Sequence, residues 1–407
     1  MLRRGLLALC LLLGACQRSS SEPAPAAPAP AAPATPVAHT APPSPAAEAA
    51  KPDAATPAIT ALPVCRPEGT TPLEAARRYS KEGRFEEALS CAAQAAALDP
   101  DLAEAHAERG EALAALNRVP EAQMAFARAL AVDPGSPEAL IGAANLYAVQ
   151  LPSTRERDEL GLLYAERGLS QPGTPHLAAE FALVSSMAFN DLGMAEDALA
   201  RAAVVLAREP NNLAATYERA LALFELCRFA EAKAAFTLLL NDPEHGAHSH
   251  QHLGLLLERE GKWKEAQTHF DKARQLMPED FPPPTLLSED EFRAAVIRAV
   301  EALPEDMRKD LKGVPVMTEE LPADADLMSG EPPLSPTILG LFRGPPLKEP
   351  CDGTETPCRS MVLYRRNLAR AVRSQAELLE QIQVTLLHEV GHLRGEDDEE
   401  LAARGLE

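Results

Sequence analysis
Four patterns of apolar spacing succeed one another along this chain and divide it. Leu6 to Leu13 is an apolar run behind Arg3-Arg4, too short to cross a bilayer and of the length found in signal peptides. Between Ser21 and Val64 the pattern vanishes. There, 29 of 44 residues are Ala or Pro, which leaves little to bury and predicts an extended tether. Residues 67 to 280 then show helical spacing, punctuated by Asp99-Pro100, Asp133-Pro134, Glu209-Pro210, Asp242-Pro243 and Met277-Pro278. Proline cannot continue a helix, so each pair closes a helical hairpin. Close to the C-terminus, Ser374 and Glu377 make a capping-box pattern. Leu378, Leu379, Ile382, Leu386, Val390 and Leu393 follow at three- and four-residue steps, and the segment reads as an amphipathic helix.

The hairpins share a motif. Gly110, Leu113, Ala122, Phe126, Ala129 and Pro134 fall in one unit, and Gly254, Leu257, Ala266, Phe270, Ala273 and Pro278 repeat that spacing in another. Small residues let paired helices approach, and aromatics fill the gap between them. The pattern resembles the tetratricopeptide repeat. Further units are marked by Tyr79 and Ala88, by Phe189 and Ala198, and by Ala232 and Phe236, while Leu151-Pro152-Ser153-Thr154 lengthens the third. Five to six repeats imply an α-solenoid whose concave face takes protein or peptide ligands.

The last helix carries the chemistry. It holds His388-Glu389-Val390-Gly391-His392, followed by Gly395, Asp397 and Asp398. Histidines four apart share a helix face, so both imidazoles can reach one metal. Glu389 lies about 100° round the helix, placed to hold water rather than the metal. Gly395 can end the helix in a left-handed turn, which brings Asp397 or Asp398 back as an oxygen ligand. These are the parts of a hydrolytic zinc centre.

Read on His388, Glu389, His392, Gly395 and Asp398, the pattern HExxHxxGxxD resembles the minimal zincin-like metallopeptidase family. The likeness extends upstream. Ser288 to Pro304 looks like that family's first helix. Gly313-Val314-Pro315-Val316, Leu339 to Gly344 and Met361 to Arg366 look like its short strands. The resemblance implies one Zn²⁺ held by His388, His392 and Asp398, with Glu389 as general base. It also makes Leu339 to Phe342 a candidate edge strand for aligning substrate backbone. Tyr364 reads as a packed strand residue rather than an oxyanion donor.

The remaining features set the address. Leu13-Gly14-Ala15-Cys16 resembles a bacterial lipobox, which implies cleavage before Cys16 and lipidation of that cysteine. The expected location is the cell envelope. Because Gln17 is not an aspartate, the outer membrane facing the periplasm is favoured in a cell with two membranes. That compartment permits disulfides. Cys351 and Cys358 flank a turn and form the expected pair, Cys65 and Cys91 a second, with Cys227 left over. No Cys-x-x-Cys occurs. A net charge of -21 offers no basic patch to nucleic acid. His245, His248, His250 and His252 cluster, and His248 and His252, four apart, could chelate a metal. His250, however, takes the place of a bulky packing residue, and no acidic base sits beside the pair, which argues against a metal site.

The expected plan is mainly α: a signal peptide over 1–15, Cys16 and its tether over 16–66, a solenoid over 67–280, and a small α+β zincin-like domain over 281–407. The function expected of it is zinc-dependent peptide hydrolysis at the envelope, with the repeats recruiting partners or substrates. The alternative is a non-catalytic scaffold whose metal is structural.

Overall fold
The computed structural model describes residues 63–171, 173–351 and 357–406. The expected signal peptide, Cys16 and nearly all of the tether lie outside the described residues. Among these residues no helix is long and apolar enough to cross a membrane.

The chain builds helical hairpins first. They pair α1 (Pro72–Lys81) with α2 (Phe85–Leu98), α3 (Ala103–Ala115) with α4 (Val119–Val132), and α5 (Pro137–Asn145) with α6 (Arg155–Leu169). They continue with α7 (Pro175–Asp191) and α8 (Ala195–Leu206), α9 (Leu213–Glu225) and α10 (Phe229–Leu238), and α11 (Gly246–Arg259) and α12 (Trp263–Leu276). Ala88, Ala122, Ala232, Ala266 and Ala273 are fully buried where paired helices touch. Alanine there permits close approach without side-chain entropy loss on packing. A Thr71–Glu74 capping box starts the first helix, and a disulfide joins Cys65 to Cys91 on α2. The third unit departs from the others. Helix α5 runs into a π-helical turn over Leu146–Gln150, and the chain restarts at Thr154, whose hydroxyl accepts from the Arg157 amide.

The C-terminal unit adds α13 (Glu289–Ala302), α14 (Glu305–Asp310), β1 (Val316–Glu319) and α15 (Asp324–Leu327). Next come β2 (Gly340–Arg343), β3 (Ser360–Tyr364), α16 (Arg365–Ala371), α17 (Gln375–Arg394) and α18 (Asp398–Ala402). The sheet order is β1-β3-β2, with β1 parallel and β2 antiparallel to β3. Every residue of the central strand is buried. Met361 and Leu363 face a core made with Phe292 and Val296 of α13 and with Leu378, Ile382, Leu386 and Val390 of α17. The long helix is thus clamped on one side of the sheet, which fixes where its histidines stand.

All three strands are shifted or trimmed relative to the sequence reading, the first running to Glu319 and the second spanning only Gly340–Arg343. The first strand starts at Val316, because Gly313 turns at φ +87° and Val314 packs into the core instead. The third ends at Tyr364, where Arg365 opens α16.

The two regions are docked. Phe281 is buried against Ala247 and Ala273 of the last hairpin, and the Thr285 amide donates to the Ala369 carbonyl at 3.0 Å. Glu258 of α11, buried at the joint, accepts from Arg366 at 2.9 Å and pairs with Arg370. The Arg366 guanidinium also stacks 4.4 Å from the Trp263 ring centroid.

Candidate metal centre
Helix α17 begins where Ser374 accepts from the Glu377 amide, and it ends at Gly395, which sits at φ +87°. That left-handed residue reverses the chain so that the Glu396 amide bonds back to the Gly391 carbonyl at 3.0 Å. Asp397 then caps α18, its Oδ1 accepting from the Glu400 amide at 2.9 Å. Asp397 is therefore occupied as a cap. Asp398, the next residue, faces the histidines: its Oδ1 lies 3.6 Å from His388 Nε2 and 3.3 Å from His392 Nε2.

Hydrogen bonding fixes how the two imidazoles face. His388 Nδ1 lies 2.6 Å from the Leu406 carbonyl, and His392 Nδ1 lies 3.0 Å from the Glu396 carbonyl. A carbonyl can only accept, so each Nδ1 carries the proton, and each ring, when neutral, presents a bare Nε2. Those two nitrogens stand 2.9 Å apart. Facing lone pairs at that distance cannot hydrogen-bond to one another. Asp398 Oδ1, which is buried, likewise finds no donor.

A zinc ion would resolve this arrangement. Donors about 2.0–2.2 Å from a tetrahedral zinc stand roughly 3.3–3.6 Å from one another. Two of the separations here, 3.3 and 3.6 Å, fall in that range, and the third, 2.9 Å between the two nitrogens, is shorter. Two neutral nitrogens and one carboxylate are also the donor chemistry that zinc takes. Among the described residues, His388, His392 and Asp398 are the one group of three such side chains close enough to share an ion.

Electrostatics separates the roles. Burial pushes His388 below the ordinary histidine range. Burial acts the same way on His392, but Asp398 and Glu389 outweigh it and hold that ring above its usual value. Burial raises the Glu389 carboxyl to about 7. Glu389 sits against the edge strand β2, where it accepts from the Phe342 amide. The strand carries Gly340 at that contact: a Cβ there would lie 2.9 Å from Glu389 Oε1 and 2.7 Å from Thr385 Cγ2.

Residues 311–406 match the family model of the zincin-like metallopeptidases, and residues 247–280 match that of the tetratricopeptide repeat. The chain carries a zincin-like domain beside tetratricopeptide repeats. Among solved structures, PilW, described as a widely conserved type IV pilus biogenesis factor, is 20% identical with a TM-score of 0.44, covering 51% of this chain and 92% of that one. PilF of Pseudomonas aeruginosa is 18% identical with a TM-score of 0.44, covering 55% and 95%. YrrB, described as a repeat protein with an unusual peptide-binding site, is 19% identical with a TM-score of 0.37, covering 46% and 92%. No protein of curated function matches the chain.

Other residues singled out in the sequence lie away from this centre or outside it. Tyr364 is fully buried in β3, its hydroxyl 3.3 Å from Asp326 in the zincin-like domain. A disulfide joins Cys351 to Cys358, and Cys227 is free. His245 pairs with Asp242 at 2.6 Å, and His252 stacks 4.7 Å from Phe236 with its Nδ1 on the His248 carbonyl. The residue that sequence reasoning missed is Leu406, because it contributes a main-chain carbonyl and no side-chain signature.

Proposed function
We propose that this chain is a zinc-dependent peptidase of the cell envelope. In this reading a signal peptide over 1–15 is removed and Cys16 is lipidated. An Ala/Pro tether to residue 66 carries the repeats of 67–280 and the catalytic domain of 281–407. The observation that carries the catalytic part is the pair of bare Nε2 atoms 2.9 Å apart with Asp398 Oδ1 beside them.

His388, His392 and Asp398 would hold the zinc. When bound, zinc supplies Lewis acidity that activates water and polarises a carbonyl. Glu389 acts from the adjacent helix face. Its carboxylate takes a proton from the attacking water and delivers it to the leaving amine. The positive charge of a metal bound beside it would favour that carboxylate form over the acid that burial alone favours. Strand β2 lies at the sheet edge, so the main-chain groups of Gly340 and Phe342 that point away from β3 lie beside Glu389. A peptide aligned along that edge would present its carbonyl to the same centre. The repeats would bind protein or peptide partners, and no nucleic acid.

Metal removal tests the catalytic claim. The full chain should lose peptide hydrolysis on dialysis against a chelator and recover it with about one equivalent of zinc. Activity that persists without metal would contradict the proposal. For the anchor, Cys16→Ser should release the protein from the membrane fraction, and unchanged sedimentation with membranes would refute lipidation.

A further inference from the structure
We propose that the segment after Gly395 is a clasp that orients both metal-facing histidines, with the Leu406 main-chain carbonyl as the positioning group for His388. This rests on the reading of His388, His392 and Asp398 as a zinc site. A neutral imidazole offers its Nε2 lone pair only when the proton sits on Nδ1, and the acceptor on Nδ1 decides that. The two histidines obtain their acceptors in different ways. Glu396 belongs to the helix cap itself, four residues from His392, so its carbonyl comes with the end of α17. Leu406 is 18 residues from His388. Its carbonyl arrives only if α18 folds back on the helix.

The fold-back has an identifiable pin. Leu401 is fully buried and packs on α17 at Gly391, where a Cβ would meet Leu401 Cδ2 at 2.3 Å. The Leu406 amide donates to the Leu401 carbonyl at 3.1 Å, so the same residue holds the turn that carries the acceptor. An Asp397–Glu400 capping box starts α18, and an Arg404–Glu396 ion pair ties its far end to the helix exit. Asp398 stands in the first turn of this short helix. One fold-back thus delivers an oxygen donor and the group that orients the opposite nitrogen. Zinc and the clasp should order each other, since an ion that binds only the folded tail stabilises it.

The test measures zinc affinity by chelator competition on three versions of the full chain: intact, lacking Glu407, and ending at Arg404. The chain ending at Arg404 should bind zinc about ten- to a hundredfold more weakly, the usual effect of losing an outer-shell partner. Its cobalt-substituted form should show a shifted d–d absorption. Removal of Glu407 alone should change affinity by less than about threefold. Leu401→Ala should weaken zinc binding in the same direction, and Leu401→Met should restore most of it. Equal affinity and an unchanged cobalt spectrum in the chain ending at Arg404 would overturn the clasp and leave the zinc site standing, even if that chain unfolds at a lower temperature. An intact chain that takes up no zinc would remove the zinc reading and the clasp together.

Discussion
At the residue scale, the metal centre depends on which of two adjacent aspartates faces inward. Asp397 spends its carboxylate on the Glu400 amide, whereas Asp398 Oδ1 is buried without a donor. The two should therefore fail differently. Asp398→Ala should weaken zinc affinity by at least about a hundredfold, more than an outer-shell change does. Asp397→Ala should remove a helix cap worth about 1 kcal/mol, with a smaller effect on the metal. Chelator competition and thermal unfolding of each variant separate the two, and the opposite ranking in zinc affinity would assign the ligand to Asp397. His388, Glu389 and His392 are legible in the sequence because their spacing matches the helix period. Helix and turn spacing alone leave Asp397 and Asp398 both open, since both follow Gly395 closely enough to be swung back, and only the family resemblance favours Asp398. Capping geometry decides between them, and that needs the start of α18.

At the scale of elements, helix α17 does two jobs at once. Its apolar stripe packs on α13 and β3, and its last two turns carry the histidines. The end of the helix is set by Gly395 at φ +87°. Gly395→Ala places a Cβ in a left-handed conformation and should cost about 1–2 kcal/mol in thermal unfolding. It should also weaken zinc binding, because Glu396 and Asp398 depend on the same reversal. Unchanged zinc affinity in that variant would disconnect the helix cap from the metal. Capping and periodicity made both ends of this helix readable in advance. The strands were less legible. Four or five residues give little alternation, and β3 is buried on both faces; the Gly313 turn sets the start of β1, and Arg365, which leaves the sheet for Glu320, sets the end of β3. The third hairpin shows the same limit: Leu151 to Thr154 marks an insertion in the sequence, but the π-helical turn before it depends on packing.

At the scale of the whole molecule, the repeats and the zincin-like domain meet through charged groups far apart in the chain. Arg366 and Arg370 reach Glu258 across more than a hundred residues, a pairing no local pattern announces. Phe281-Pro282-Pro283-Pro284 reads in the sequence as either a stiff hinge or a docked joint, and the choice depends on partners elsewhere. Glu225 lies at the same joint, its carboxyl meeting Ser335 of the segment that leads into β2. Burial pushes it from 4.5 up to about 7. Between those values the folded chain binds more protons than the unfolded one, so stability falls as pH rises from about 4.5 and levels off above about 7. Relative to Glu225→Gln, the intact chain should lose up to about 3 kcal/mol across that window. Denaturant unfolding at both ends of it measures the difference, and a pH-independent gap would place Glu225 in a more solvated setting. The central claim joins all three scales: a zinc site, a general base on the same helix, and a peptide aligned on β2. Its most direct measurement is hydrolysis of a peptide library by the zinc-loaded full chain beside Glu389→Gln. The account predicts that both bind zinc equally and that only the intact chain cleaves. Equal cleavage by both, or zinc uptake with no cleavage by either, would contradict it.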